Sequence, residues 1–360
     1  MSDKLTELRS RIDQLDQQLM ELLSERARCA SEVGVIKRAN SDGDCQFYRP
    51  EREAEILRRV AEMNPGPLGD EELVRLFREV MSACLAIEQP MSIAFLGPAG
   101  TFTEEAALKH FGHSVKTTAM TSIDEVFREV ESGAANYGVV PIENSTEGVI
   151  THTLDNFMRS SLKIVGEVEL RIHHYLLSNE KDVDELKIVY SHQQSLAQCR
   201  KWLDSNLGPI ERKPVSSNAR AAMLAAKETG AAAVASRSAA TKYELNILAS
   251  NIEDMPDNST RFLIVGKCNV AVSGKDKTSV LVSAPNEAGA LYRLLEPFAK
   301  NQVSMTRIES RPSHGANWEY VFFLDLEGHV DDAPLQQALM ELQQVAEMVN
   351  VLGSYPKAVS

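Results

Sequence analysis

Two basic side chains stand where an apolar helical stripe would otherwise continue. Leu5, Leu8, Ile12, Leu15, Leu19, Leu22, Cys29, Val33 and Ile36 recur mostly at spacings of three and four, which marks one long amphipathic helix. Counted along that stripe, position 26 should be apolar, and it is Arg26. Lys37 follows eleven residues later, about 20° around the helix and about 16 Å along it. Both side chains can lean toward one point. Arg9 precedes Lys37 by 28 residues, about 42 Å on a straight helix. It can share an anion site with Arg26 and Lys37 only if a second copy of the chain supplies it, in an antiparallel helical dimer. A lone Arg26 could snorkel from the edge of the stripe and pair with Glu25 or Glu51. Several cations aimed at one interior are costly unless an anion joins them, so a dianionic small molecule is the natural partner.

A second chemistry-bearing pattern lies downstream. In SIAFLGPAGTFTEEAALKHF, Thr101 and Glu104 have the spacing of a capping box. In YGVVPIENSTEGVITHTLDNF, Asn144, Ser145 and Thr146 fall at the turn after a strand. In LKIVYSHQQSLAQC, Ser191 ends a strand and Gln198 lies in the next helix. Strand ends beside helix N-termini are favoured anion sites in open α/β sheets, so three such turns point to a small carboxylate ligand. Thr103 and Ser195 read as simple caps. No GxGxxG follows a strand, and GPAGTF lacks the lysine of a phosphate loop, so no dinucleotide cofactor is expected. His152, His173, His174 and His192 lack metal-ligand spacing and read as structural or peripheral; no metal is expected.

These patterns must be positioned by more than one domain. The chain has 360 residues, ordinary globular composition and a formal net charge of −13. That charge disfavours nucleic acid and membrane surfaces as partners, since both are polyanionic. Residues 1–89 show helical periodicity alone, with breaks at NSDGDCQ and NPGPLG and further helices over about 50–63 and 70–88. From Ser92, short apolar runs alternate with helical stretches, the form of an α/β domain with largely parallel strands, extending to about Asn269. After the polar linker SGKDK the order reads β-α-β-β-α-β, which is ferredoxin-like. The N-terminus lacks an apolar leader, and the five cysteines are odd in number with no zinc spacing, so a reducing, cytoplasmic location is expected.

The segments LRSRIDQLDQQLMELLSERARCASEVGVIK, PEREAEIL and RLFREVMSACLAIEQ resemble the all-helical chorismate mutase family over residues 5–89. The resemblance implies that Arg9 from a partner copy, Arg26 and Arg52 bind two carboxylates. Lys37 would contact the ether oxygen and Glu53 the ring hydroxyl, while Cys84 and Glu88 close the pocket. Arg49 stands where the family often has Asp, so that position's hydroxyl contact is not carried over. The reaction is a unimolecular rearrangement, so the protein can only hold the reactive conformer and stabilise charge on the ether oxygen. Lys37 does so as a cation. Glu88 does so only when protonated, so activity should fall above neutrality.

GPAGTFTEEAA, GVVPIENSTEG, YSHQQSLAQC and NSTRFLIVG resemble prephenate dehydratase over about 92–269. That implies two lobes like a periplasmic binding protein, with the site between them. Thr260 would be central, donating a hydrogen bond to the leaving oxygen, with Thr101, Asn144, Ser145, Ser191, Gln198, Arg261 and Phe262 around it. Glu143 reads as structural or as an acid/base group, with the balance toward structural. GALYRLLEPFAKNQVSMTRIESRP resembles the ACT amino-acid-binding domain over about 277–354. It implies an L-phenylalanine effector site from Gly289, Ala290, Leu291, Glu309, Ser310, Arg311 and Pro312, completed across a domain pair. The expected architecture is therefore multidomain: an all-α mutase over 1–90, a two-lobed α/β dehydratase over 91–270 and an α+β ACT domain over 276–355. The expected ligands are chorismate, prephenate and phenylalanine, with no cofactor, in a homodimer or higher homo-oligomer. A non-catalytic amino-acid sensor or solute-binding protein is the competing class, and it leaves Arg26, Lys37, Arg52 and Glu53 without a role. Arogenate is the competing substrate for the dehydratase.

Overall fold

The computed structural model describes residues 2–40, 47–284, 287–312 and 320–359. The chain divides into two compact units. The first comprises Met1–Arg49, Ile56–Met91 and Phe111–Lys116; the second comprises Pro50–Glu55, Ser92–His110 and Thr117–Ser360.

Helices α1 (Ser2–Asn40), α2 (Pro50–Glu62) and α3 (Asp70–Glu88) carry the N-terminal region. The expected long helix forms without a break. Pro50 at its start suits α2, because proline's missing N–H is unneeded in the first turn. In the first unit α1 packs on α3 at Gly34, where a Cβ would stand 3.2–3.3 Å from Glu88. The bare backbone at Gly34 lets the two helices approach. Along α1, Leu5, Leu8, Ile12, Leu15, Leu19 and Leu22 are all exposed.

The second unit continues with β1 (Ser92–Leu96), α4 (Phe102–Phe111), β2 (Lys116–Met120), α5 (Ile123–Ser132), β3 (Tyr137–Asn144), β4 (Gly148–Val149), α6 (Thr151–Phe157) and β5 (Lys163–Arg171). The chain then crosses to β6 (Tyr175–Ser178), β7 (Ile188–His192), α7 (Gln193–Gln198), α8 (Arg200–Asn206), β8 (Glu211–Val215), α9 (Asn218–Ala225), β9 (Ala231–Ala235), α10 (Arg237–Tyr243) and β10 (Asn246–Ala249). It returns as β11 (Ser259–Gly266). Two sheets result, ordered β2-β1-β3-β11-β5 and β10-β6-β9-β7-β8, with β4 paired to β3. These are two lobes joined by two crossings, as the resemblance implied. The crossings run side by side, since Ile252 N–H donates to His174 O at 3.0 Å.

The sheets are mixed rather than largely parallel. Strand β11 enters the first sheet from the far lobe and so runs antiparallel to both β3 and β5. In the second sheet β6 is antiparallel to β9 and β10.

The C-terminal region has β12 (Asp276–Ala284), α11 (Ala290–Lys300), β13 (Met305–Pro312), β14 (Tyr320–Glu327), α12 (Ala333–Val345) and β15 (Met348–Pro356). Its sheet order, β13-β14-β12-β15, is the ferredoxin-like one expected. Its sheet does not stand apart from the first lobe. Leu281, Phe323, Leu352 and Tyr355 belong to the same buried core as Ile142, Leu154, Phe157 and Leu263. Strand β15 lies so close on β5 that a Cβ at Gly353 would collide with the carbonyl oxygen of Ile164.

Cys29, Cys84 and Cys199 are free thiols. Cys268 takes part in a disulfide. Among the described residues no helix is long and apolar enough to cross a membrane.

The contact at Gly353 makes a prediction. Gly353→Ala should destabilise the chain by at least about 1–3 kcal/mol, the range for overpacking, because the obstacle is backbone. A denaturant melt of the variant measures this, and an unchanged midpoint would contradict the packing.

Candidate functional site

A cavity of about 410 Å³ lies between the two lobes. Its walls include the first residues of four helices: Phe102 and Thr103 of α4, Gln194 of α7, Asn218 of α9, and the N-cap Ser236 of α10. Ser217 caps α9 by accepting Arg220 N–H, and Ser236 caps α10 by accepting Ala239 N–H. Helix starts present unpaired N–H groups and positive dipole ends, so the cavity favours an anion. The expected turns at 97–101 and 191–198 are among them; those of α9 and α10 were not anticipated.

Of the residues singled out in the sequence, Thr101, Asn144, Gln198, Thr260 and Phe262 line the cavity. Asn144 ends β3 and Thr260 lies directly across from it on β11. The orientation of the Asn144 amide is fixed by backbone. Its Oδ1 accepts the N–H groups of Thr146 at 3.0 Å and Glu147 at 3.1 Å, while its Nδ2 donates to Ser259 O at 3.2 Å. The same Nδ2 donates to Thr260 Oγ1 at 2.7 Å. Thr260 therefore accepts from Asn144, and its single hydroxyl proton is left to donate elsewhere.

This polarity propagates. Asn144 Nδ2 also reaches Asn258 Oδ1 at 2.9 Å, so Asn258 turns its Nδ2 to Gln198 Oε1 at 3.3 Å. Gln198 Oε1 is then an acceptor, and the His174 Nε2 at 3.0 Å from it must carry the proton. His174 Nδ1 is buried without a hydrogen-bond partner. Burial pushes the His174 pKa down, against a smaller upward pull from Gln198. The ring is thus a neutral Nε2–H tautomer.

Three predicted residues sit outside the lining. Ser191 is fully buried and donates to Val234 O at 2.7 Å while touching Asn218 Oδ1 at 3.0 Å. It supports Asn218, which lines the cavity and donates to Ser195 Oγ at 2.8 Å. Ser145 accepts Ser259 N–H at 3.0 Å and so ties the β3 turn to β11. Arg261 points to the opposite face of β11, where it bonds Glu167 at 2.8 Å, Asp325 at 2.5 Å and Tyr355 Oη at 3.0 Å. His174 and His192, read as structural or peripheral, line the cavity, and His174 is a buried member of its hydrogen-bond network. Asn258 was missed although it begins the NSTRF segment. It lies two residues before Thr260, so strand alternation puts it on the same face.

In the first unit Lys37 Nζ meets Glu88 Oε2 at 3.0 Å and Phe47 O at 3.0 Å. Cys84, one turn before Glu88, is buried. Arg26 is half-buried and Arg9 exposed on the same unbroken helix. In α2 the guanidinium of Arg52 pairs with Glu55 at 2.5 Å, and Glu53 is half-buried.

At the C-terminal region Gly289 takes a left-handed φ of 79° and precedes Ala290 and Leu291 at the start of α11. Burial alternates along β13, with Glu309 and Arg311 on the inner face and Ser310 and Pro312 exposed. Arg311 is committed to Asp155 of α6 through a fork at 2.8 and 3.1 Å. No cluster of metal-ligating side chains occurs among the described residues.

Comparison with known proteins agrees with this division. The chorismate mutase type II family model matches residues 8–89, the prephenate dehydratase model 93–269 and the ACT domain model 278–344. A bifunctional chorismate mutase/prephenate dehydratase from Pseudomonas aeruginosa is 55% identical over 360 residues, covering 99% of each chain. One from Escherichia coli is 34% identical over 380 residues, covering 98% of this chain and 96% of its own. A solved prephenate dehydratase from Arthrobacter aurescens, in complex with L-Phe, superposes with a TM-score of 0.69 at 35% identity. It covers 74% of this chain and 89% of that one.

Nitrogen NMR of the imidazoles tests the polarity of the cleft network. His174 should show the Nε2–H pattern and stay neutral below about pH 6.5, the ordinary histidine value. Because the unfolded chain would take that proton first, this group's contribution to stability is present above that value and is lost as pH falls below it, down through the lower folded pKa. An Nδ1–H or doubly protonated ring at pH 6.5 would contradict the assignment.

Proposed function

This chain belongs to the family of bifunctional chorismate mutase/prephenate dehydratases, and from that premise we propose how its residues divide the work. The enzyme rearranges chorismate to prephenate and then converts prephenate to phenylpyruvate, under feedback inhibition by L-phenylalanine. The observation that carries the residue-level reading is the backbone-locked amide of Asn144, which occupies Thr260 as an acceptor.

In the dehydratase step the carbon–carboxylate bond of the prephenate ring breaks and CO2 leaves. Its electron pair completes the aromatic ring, and the ring C–O bond breaks with hydroxide as leaving group. Hydroxide takes up one proton and leaves as water. Aromatisation supplies the driving force, so the protein need only stabilise charge on the departing oxygen. Thr260 is suited to this as a hydrogen-bond donor, because a threonine hydroxyl is too weak an acid to protonate outright. The four helix starts lining the cavity favour the substrate carboxylates. Gln198 and Asn258 hold Asn144 from behind, and Phe262 shapes the wall.

In the mutase step, Arg26, Lys37 and Arg52 with Arg9 of a second copy bind the dianion, and Glu53 takes the ring hydroxyl. The exposed apolar row of α1 supports a homodimer, since a stripe of that length is otherwise left in water. Lys37 is assigned to the ether oxygen, and Glu88, paired with Lys37 at 3.0 Å, closes the pocket together with Cys84. The effector reading places phenylalanine at Gly289–Leu291 and the Glu309–Pro312 segment. There Arg311, held by Asp155, is assigned to fixing the strand. The absence of a membrane-crossing helix among the described residues and the biosynthetic chemistry support a cytoplasmic location.

Thr260→Val should lower dehydratase kcat by about 10²–10³-fold, the scale of one lost transition-state donor, while Thr260→Ser retains most activity. Equal activity in the two variants would remove Thr260 from this role. Glu88→Ala should lower mutase turnover without altering dehydratase turnover; unchanged mutase turnover would reject the role of Glu88.

A further inference from the structure

The two residues that meet across the cleft face of the first lobe each have a neighbour that meets across the other face. Thr260 pairs with Asn144 and Arg261 with Glu143 in the β11–β3 register. Successive side chains of a strand point to opposite faces. Thr260 and Asn144 line the cavity, whereas Arg261 and Glu143 are absent from its lining. On the far face both hold the C-terminal sheet. Arg261 bonds Asp325 of β14 at 2.5 Å and Tyr355 of β15 at 3.0 Å, besides Glu167 of β5 at 2.8 Å. Glu143 pairs with Arg307 of β13 at 3.1 Å. Lys277 of β12 completes the set by binding Glu167 at 2.8 Å. All four strands of the C-terminal sheet are thus tied to the layer carrying the cleft residues.

The ties made by Arg261 are stiff for a physical reason. The Arg261, Asp325 and Glu167 side chains are only 15%, 7% and 6% exposed. A buried charge deprived of its partner is far less stable than a paired one, so the groups must move together. Burial alone would raise the Asp325 pKa; Arg261 and the Ser279 hydrogen bond reverse that and hold it low. Burial also pushes the Tyr355 hydroxyl well up, with Asp325 adding to it, so Tyr355 stays neutral. The register of β3 against β11 breaks directly beyond this pair. Arg261 faces Glu143 but Phe262 faces Pro141, leaving Ile142 as an extra residue in a bulge. A bulge locally bends a strand and re-aims its side chains, so β3 can turn there without disturbing the rest of the sheet.

We propose that Arg261 and Glu143 are positioning residues for the dehydratase reaction, through which Arg307, Asp325 and Tyr355 of the C-terminal sheet set the spacing of Thr260 and Asn144. The proposal rests on the dehydratase reading of the cleft. It assigns the C-terminal sheet a share in the geometry of turnover itself, beyond binding an effector. The same ties give effector binding a route to the reacting group, because any shift of β13 or β14 must move Glu143 or Arg261.

Steady-state kinetics of the full chain test this with Arg307→Met and Tyr355→Phe, neither of which touches the cleft. Each should lower dehydratase kcat for prephenate by about tenfold with KM nearly unchanged, the signature of an interaction felt in the transition state. Chorismate rearrangement by the same preparations should be unaltered, and Arg307→Lys should recover most of the loss. L-phenylalanine should still bind Arg307→Met by calorimetry yet inhibit it less than the unaltered chain. Wild-type kcat and wild-type inhibition in both variants would overturn the proposal, as would a loss confined to KM. Should Arg307→Met fail to fold, Tyr355→Phe, which removes one oxygen, decides alone. An unaltered chain that turns over prephenate but does not bind phenylalanine would remove the effector reading and leave the kcat comparison to decide the positioning role. An unaltered chain without dehydratase turnover would overturn the reading of the cleft and this proposal with it.

Discussion

One side-chain amide sets the chemistry of the cleft. Asn144 has its oxygen on two backbone N–H groups and its nitrogen on a backbone carbonyl. Each such bond contributes about 1 kcal/mol net, so turning the amide over would forfeit all three and set like atoms against one another. With that direction fixed, Thr260 accepts, Asn258 and Gln198 fall into line, and His174 takes a single tautomer. A chain of otherwise ambiguous groups has one consistent arrangement, and it leaves the Thr260 hydroxyl proton free of Asn144.

Strand alternation then ties that site to the rest of the second unit. The same two strands that present Thr260 and Asn144 to the cleft present Arg261 and Glu143 to the C-terminal sheet. The shared apolar core and the contact of Gly353 on Ile164 hold the two layers at fixed spacing. Buried ion pairs within this layer contribute little net stability, since desolvation offsets their attraction. What they impose is registry, which a reacting group needs more than it needs stability. In the first unit the governing fact is different. There α1 is one unbroken helix, and Arg9 and Lys37 stand too far apart along it to meet within one chain.

Much of this was legible in the sequence, for reasons that can be named. Helix α1 announced itself by spacing, and α2 and α3 by proline, aspartate and the breaks between them. The strands β1, β3, β7, β9 and β11 were visible because they are interior and continuously apolar. Strands β2 and β8 were not, because they are sheet edges whose KTTAM and ERKPV segments are mostly exposed and polar. The antiparallel entry of β11 was hidden, since a strand's direction depends on which lobe precedes it. Thr260 and Asn144 were found through their motifs. The destination of Arg261 and Arg311 was not, because a motif gives adjacency along the chain while the face a side chain takes depends on the sheet it enters. His174 read only as structural or peripheral because nothing in its spacing shows that residue 198 folds back onto it.

The most direct measurement is a crystal structure of the enzyme with a non-reactive prephenate analogue that keeps the ring hydroxyl. The account predicts Thr260 Oγ1 within hydrogen-bond distance of that hydroxyl, with Asn144 Nδ2 still donating to Thr260. A ring hydroxyl bound by another group, or an Asn144 amide turned away from Thr260, would contradict it.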